Sequence, residues 1–282
     1  MNQEVTSIDV FHVGPPKTAT TWVYRCFREH PTFSVTTKDA VHYYDMFHAR
    51  GPDWYASQFV NWQPGLKRLD ATPSYIQCRS AMERLMRENP NARFVVGLRE
   101  PIERAFSHYW HLRKKGQIKH RFDEILDNYT LYSLWLEPGF IARNLRPLLD
   151  QVPREHIYPM SFETLNADPA GELRRLFQFC DVDADFRPSL LEKRVNVAGP
   201  RQTLLRRAAY KAGRMVFGGA IDHRGQSGLI NWLSGKGEYH QGVDQHTLQR
   251  LRPLCEPEIR EIESAFEVDL SEWRTRYELS AP

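Results

Sequence analysis

The sequence has no long apolar run. Its longest stretches, Phe94-Val95-Val96-Gly97-Leu98 and the segment from Val216 to Ile221, fall far short of the ~20 residues that span a bilayer, so no membrane segment and no membrane partner is expected. Met1 to Asp9 has neither a basic n-region nor an apolar h-region, so no secretory leader is expected. Cysteine is sparse. Cys26, Cys78, Cys180 and Cys255 stand far apart in no ligand-like spacing, which reads as reduced thiols of a cytoplasmic protein. Neither sign of charge dominates: 38 Lys and Arg face 35 Asp and Glu, for a net charge of +3. That is too mild for a nucleic-acid partner, yet it leaves room for a local basic site that holds a small polyanion. Internal repeats and low-complexity tracts are also missing, which excludes solenoids and fibrous chains.

What remains is a chain of 282 residues, 41% apolar and 26% charged, a globular balance with enough length to bury a core without disulfide or metal staples. A β-branched and aromatic cluster at Ile8 to Val13 predicts a strand running into Gly14-Pro15-Pro16. Trp22, Val23, Cys26 and Phe27 share one face of a helix from Thr20 to about His30, stopped by Pro31. Further strands are expected at Leu66–Asp70, Arg93–Leu98 and His156–Met160, and further helices at Ser80–Glu88, Pro101–Lys115 and Asp168–Phe179. This alternation predicts a three-layer α/β/α fold on a central parallel sheet. A single domain over 1–282 is expected. Residues 185–242, where Gly and basic residues accumulate, are read as an irregular elaboration over the active site. A closing helix is expected over Gln245–Phe266, with Pro253 and Pro257 kinking or splitting it.

Two segments carry chemistry. The first, Val13-Gly14-Pro15-Pro16-Lys17-Thr18-Ala19-Thr20-Thr21-Trp22, lies at a strand-to-helix junction, where unpaired amides and the positive end of the helix dipole suit a phosphate. Lys17 adds a point charge, the threonines add hydroxyls, and the small Ala19 admits a ligand to the backbone. It is not a Walker A loop, which needs Gly-Lys followed by Ser or Thr. The second, Arg99-Glu100-Pro101-Ile102-Glu103-Arg104-Ala105-Phe106-Ser107-His108-Tyr109, starts at the carboxyl end of a buried strand, where ligands bind in open α/β sheets. Arg99 has the geometry to grip a phosphate there with two parallel hydrogen bonds, or to pair with Glu100 or Glu103 at the surface.

Together these segments resemble the sulfotransferases that use 3′-phosphoadenosine 5′-phosphosulfate. The first resembles their 5′-phosphosulfate loop, P-K-[ST]-G-T-[TS]-W, with Ala19 in place of the usual glycine. The second resembles their 3′-phosphate motif, R-x-P-x-x-R-x-x-S-x-Y. Lys38-Asp39 followed by His42-Tyr43-Tyr44-Asp45 is similar to the K-E-x-H-[FY]-F stretch of the carbohydrate-type branch, lengthened by one residue. Asp70-Ala71-Thr72-Pro73-Ser74-Tyr75, Phe162-Glu163-Thr164-Leu165 with Asp168-Pro169, and Gly235-Lys236-Gly237-Glu238-Tyr239 resemble further family segments. The resemblance implies a P-loop-like fold and sulfonyl transfer, by in-line attack, to a hydroxyl of a small-molecule or carbohydrate acceptor. It implies that Pro16, Lys17, Thr18, Ala19, Thr20 and Thr21 hold the 5′ side, with Lys17 stabilising the leaving oxygen. It also implies that Trp22 lies against adenine unless it anchors the core, that Arg99 and Ser107 clamp the 3′-phosphate, and that Lys236 and Gly237 add late contacts.

For the general base three candidates stand: His42, Asp39 and Asp70. A neutral His suits proton abstraction near pH 7, and a carboxylate does so where burial raises its pKa. Tyr43, Tyr44, Phe47, Trp54, Tyr55 and Trp62 form either an acceptor pocket or core. His108 and His111 are spaced as metal ligands can be, but nothing nearby in sequence completes a set, so no metal is expected. Two rival readings are a catalytically silent nucleotide-binding or scaffold member of the same fold and a nucleotide-dependent kinase with a variant P-loop.

Overall fold

The computed structural model describes residues 7–191 and 242–275. Five strands form one sheet: β1 (Val10–Gly14), β2 (Phe33–Val35), β3 (Lys67–Asp70), β4 (Arg93–Leu98) and β5 (Ile157–Ser161), in the order β2-β3-β1-β4-β5. Every pairing is parallel. The chain leaves β1 for the β2 edge, returns through β3, then crosses to β4 on the other flank. The carboxyl ends of β1, β3 and β4 therefore meet where the winding reverses, the position at which open α/β sheets bind ligands.

A parallel sheet needs cover on both faces, and the strand alternation supplies it. Val10, Leu69, Val95 and Met160 pack with helix α1 (Thr20–Glu29) in one apolar cluster. Phe11, Val13, Phe94, Val96 and Leu98 face the other, larger cluster, where Phe11 stacks on Phe94 with ring centroids 5.8 Å apart. Short α2 (Gly51–Ala56), α3 (Arg79–Glu88), α4 (Pro101–Lys114), short α5 (Tyr129–Leu131) and α6 (Ala142–Gln151) follow. Next come α7 (Phe162–Ala167), α8 (Pro169–Phe179), α9 (Gln245–Phe266) and short α10 (Ser271–Thr275). Side chains open several of these helices. Glu100 accepts from the amides of Ile102 and Glu103, Asp168 from Gly171, and Asp244 from Thr247, satisfying amides that a helix start leaves orphaned.

The fold differs from the sequence reading in several places, the short helices α2, α5, α7 and α10 among them. Strand β2, only three residues long, follows directly on Pro31-Thr32 and carries too few residues for a periodic signal. Helix α6, with Pro147 inside it, was not expected. Helix α9 is one helix of 22 residues, not split at Pro253 or Pro257. Its buried stripe of Leu248, Leu251, Cys255, Ile259, Ile262 and Phe266 outweighs the hydrogen bonds that two prolines remove. Residues 192–241 lie outside the described residues, and with them most of the expected 185–242 elaboration.

Two glycines set how closely the site-bearing segments approach. Gly14 has φ +102°, and a Cβ there would stand 1.8 Å from the Pro73 carbonyl oxygen. At Gly97 a Cβ would stand 2.2 Å from Thr18 Oγ1 and 2.5 Å from Thr18 Cβ. Gly97→Ala should therefore destabilise the fold by about 1–3 kcal/mol, the usual cost of overpacking. Urea unfolding checks this, and an unchanged midpoint would refute the close packing of β4 under the loop.

Candidate active site

The loop between β1 and α1 has the backbone shape of an anion-binding concavity. Lys17 (φ +77°) and Ala19 (φ +66°) are left-handed, and left-handed residues bring successive backbone N–H groups into an anion-binding concavity. Ala19 is the N-cap of α1 and supplies no side-chain bond to the helix amides. Thr20 Oγ1 is buried and has no hydrogen-bond partner among the described residues, an uncommon state for a native hydroxyl. Burial first, and then Arg99, Lys115, Arg104 and Lys114, press the Lys17 ammonium down to about 8. A group of phosphate or sulfonate charge answers each of these features at once, so the residues fit the nucleotide donor that the resemblance implies.

The second segment reaches the same loop. Arg99 leaves the end of β4 and donates through Nη1 to the Lys17 carbonyl at 2.8 Å. Its guanidinium lies 3.9 Å from the centre of the Phe162 ring, and Glu103 stands 3.8 Å away. Arg104, fully buried, donates to the Pro16 carbonyl at 3.4 Å and to the Trp135 carbonyl. Desolvation and then Arg99 lower its pKa to about 9. Two segments some eighty residues apart thus converge on the backbone of one short loop. Ser107 is buried on α4.

Not every residue of the loop serves as the resemblance implies. Thr18 is fully buried and donates its hydroxyl to the Pro15 carbonyl at 2.7 Å, so its side chain braces the loop and only its backbone is left for a ligand. Trp22 is buried in the cluster shared by α1, β1 and α8, which favours the core-anchor reading over adenine stacking. Lys236 and Gly237 lie outside the described residues.

The three base candidates separate sharply. Asp70 is fully buried and accepts three hydroxyls: Tyr55 at 2.7 Å, Tyr75 at 2.8 Å and Thr72 at 2.6 Å. Burial raises its pKa, but its oxygens already hold protons donated from within the core. It acts instead as a hub. Thr72 Oγ1 passes the bond on to the amides of Val41 and His42 at 3.1 and 3.4 Å. Tyr75 Oη does the same for Tyr43 and Tyr44 at 3.1 and 3.4 Å. The backbone of residues 41–44 hangs from this one carboxyl group.

His42, held at φ +56°, is the base candidate whose backbone this hub positions. Its Nδ1 lies 3.1 Å from Asp45 Oδ2 and 3.2 Å from Ser74 Oγ, and Ser74 also donates to Asp45. The hydrogen bond to Asp45 raises the His42 pKa above 6.5 against an opposing burial effect, with Asp70 and Asp39 adding to the rise. A carboxylate on Nδ1 fixes the tautomer that leaves Nε2 as proton acceptor. Asp39 is exposed and accepts from Thr21 Oγ1 at 2.8 Å, at the mouth of the anion loop. Asp45 and Ser74 were not picked out from the sequence as partners of His42. The three-residue spacing from His42 to Asp45 was the available signal.

The aromatic residues divide between core and rim. Tyr43 and Tyr55 stack at 4.1 Å inside the core with Tyr44, and Trp62 lies 3.8 Å from the Arg68 guanidinium. His108 and His111 do not form part of any metal-binding group among the described residues. Burial, and then positive neighbours that include Lys17, lower their pKa values to about 3 and about 4. No helix among the described residues is long and apolar enough to cross a membrane.

A family model described as the sulfotransferase family matches residues 43–186, half of the chain. The chain belongs to the sulfotransferase family. It is 29% identical over 176 residues to heparan sulfate glucosamine 3-O-sulfotransferase 3B1 of Mus musculus, covering 59% of this chain and 44% of that protein. It is 29% identical over 172 residues to heparan sulfate glucosamine 3-O-sulfotransferase 6 of Homo sapiens, covering 59% of this chain and 50% of that protein. The match thus spans half the length, or less, of these curated relatives. A solved sulfotransferase from Alicyclobacillus acidocaldarius shares the fold, with a TM-score of 0.71 at 20% identity over 95% of this chain and 98% of that one. This sulfotransferase-family chain departs from the family loop at Ala19, where a left-handed conformation costs an L-residue about 1–2 kcal/mol. Ala19→Gly should raise the unfolding free energy by about 0.5–1 kcal/mol, after the larger unfolded-state entropy of glycine is subtracted. Thermal unfolding of the two proteins side by side checks it, and a lower midpoint for the glycine variant would contradict the strain.

Proposed function

We propose that this chain transfers a sulfonyl group from 3′-phosphoadenosine 5′-phosphosulfate to a hydroxyl of a small-molecule or carbohydrate acceptor. The observation that carries the reading is the convergence of Arg99, Arg104 and Lys17 on one left-handed loop at a helix start. The heparan sulfate relatives support the carbohydrate class of acceptor. The dispersed free thiols Cys26, Cys78, Cys180 and Cys255 support a reducing, cytoplasmic setting, and one domain serves the whole reaction.

The bound donor supplies an activated sulfur whose bond to the phosphate oxygen breaks as the acceptor oxygen bonds to it. The chain supplies the rest. Lys17, Thr20, Thr21 and the amides of the loop hold the 5′ side, and Arg99 and Ser107 hold the 3′-phosphate. Lys17 places positive charge where negative charge grows on the leaving oxygen, a contribution that is large in a water-poor site. His42 takes the acceptor proton at Nε2, and Asp45 stabilises the imidazolium that results. Asp39, beside Thr21, lies close enough to raise the His42 pKa. The Asp45–His42–Ser74 arrangement supports an active enzyme over a silent relative of the same fold.

Two tests follow. Lys17→Ala should lower kcat by about 100-fold or more while the affinity for 3′-phosphoadenosine 5′-phosphate falls much less. Steady-state kinetics beside calorimetric binding measure the split, and equal losses would remove the leaving-group role. The second is a pH profile. A base must be neutral to act, so kcat/KM should rise with pH through a value above 6.5, because Asp45 holds the His42 pKa up. Asp45→Asn should move that acid limb to lower pH and reduce the plateau. An unmoved limb would show that His42 is not the titrating base.

A further inference from the structure

Lys17 carries a chemistry that the transfer mechanism leaves unused. It is partly buried, and it forms no ion pair among the described residues. The charges that act on it come from Arg99, Lys115, Arg104 and Lys114, all of its own sign. Burial and these neighbours bring its pKa from 10.5 down to about 8. Near pH 7.5 about a quarter of such a lysine is neutral amine, against about one part in a thousand of an unperturbed one. A desolvated lysine with cations around it is an activated nucleophile.

What it reacts with is set by the loop around it. The left-handed residues Lys17 and Ala19 gather backbone amides into a seat for a phosphate. Thr18 spends its hydroxyl proton on the Pro15 carbonyl and Thr21 on Asp39. Thr20 Oγ1, on a residue only 6% exposed, has no partner among the described residues and is left to donate to the same phosphate. Arg99 holds the backbone in this shape through the Lys17 carbonyl. A matching reagent carries a phosphate for the seat and an electrophilic carbon for the amine. A phosphate monoester has the anchor but no carbon that an amine attacks readily. The mixed anhydride of a carboxylic acid with phosphoric acid has both. Its bridging oxygen joins phosphorus to an acyl carbon, as the donor's joins phosphorus to sulfur. Lys17 is the group that steadies this oxygen, so the acyl carbon, one bond further on, is brought to Nζ.

We propose that Lys17 is a site of N-acylation by acyl phosphates such as acetyl phosphate. The proposal rests on the reading of this loop as the seat of the donor's 5′-phosphate, and extends it to a modification that switches the site off. The neutral amine adds to the acyl carbon, and a nitrogen–carbon bond forms. The bond from that carbon to the bridging oxygen breaks, and its electron pair leaves with the phosphate. One amine proton goes to the departing phosphate, so a lysine amide and hydrogen phosphate result. The amide has no charge, and nothing on residue 17 then offsets the charge that grows on a leaving oxygen. A bound donor covers Lys17, so the modification falls on enzyme whose donor site is empty.

The test treats the whole chain with acetyl phosphate at pH 7.5 and follows each lysine by quantitative peptide mass spectrometry. The exposed Lys119 serves as the reference in the same digest. Lys17 should be acetylated at least tenfold faster than Lys119. N-hydroxysuccinimidyl acetate, which carries no phosphate, should show a preference for Lys17 at least threefold smaller. Inorganic phosphate should slow Lys17 at least fivefold and leave Lys119 unchanged. Thr20→Val should lower the Lys17 rate at least threefold. If that variant unfolds, the comparison of reagents and the protection by phosphate, both on the unaltered chain, carry the result. Lys17 no faster than Lys119, an equal preference with the two reagents, or no protection by inorganic phosphate would overturn the proposal. Calorimetric binding of 3′-phosphoadenosine 5′-phosphate to the same preparation separates the two readings. A nucleotide that binds to a chain with an unreactive Lys17 removes the acylation and leaves the sulfotransferase reading. Phosphate-protected acetylation in a chain that does not bind the nucleotide does the reverse.

Discussion

The site depends on one hydrogen bond between distant parts of the chain, from the Arg99 guanidinium to the carbonyl of Lys17. It works because β1 and β4 are adjacent parallel strands, so the turns that follow them leave the sheet side by side. Gly97 then lets the β4 end close onto Thr18 without a side chain between them. The carbonyl neutralises none of the arginine's charge, and Glu103, 3.8 Å away, is its acidic neighbour. The result is a loop whose shape is fixed by cations and whose electrostatic field still demands an anion. Lys17 registers that demand directly, with an ammonium pushed down to about 8 by burial and by neighbours of its own sign. A bound polyanion would relieve that repulsion through the same residues that hold the loop.

The reacting side is held by different means. There the organising group is a buried carboxyl, Asp70, surrounded by three hydroxyls. Its task is geometric: two relays through Thr72 and Tyr75 fix four consecutive residues that include His42. Four backbone bonds to two buried hydroxyls leave residues 41–44 little freedom to move.

Much of the architecture was legible in the sequence. The apolar run Arg93–Leu98 has no hydrophilic face to show, which marks a strand covered on both sides, and the helix starts at Pro101 and Pro169 announce themselves through proline and an acidic cap. The β1–α1 loop stood out in the sequence because its residue types are unusual together. The roles of Thr18 and Asp70 were not, because a hydroxyl or carboxyl reads the same whether it faces solvent or core. What decides between these is the approach of Tyr55, fifteen residues away, and of Gly97, on another strand. The continuity of α9 was misjudged for a related reason. Proline penalties are local, whereas the six buried side chains that hold the helix down are credited only once the other layers are in place. The left-handed Ala19 shows the reverse case, a conformation that the sequence marked only by the residue it lacks.

The Asp70 hub also constrains how this lineage can vary. Tyr55 comes from α2, and Thr72 and Tyr75 from one turn after β3, yet each spends its one hydroxyl proton on the same two oxygens. Losing Thr72 takes the donor from Oδ1, losing either tyrosine takes one of the two from Oδ2, and replacing the acid leaves three donors competing for nothing. Drift at these four positions therefore has to be concerted, and divergent relatives should exchange the set as a block, Asp and hydroxyls together, rather than one letter at a time.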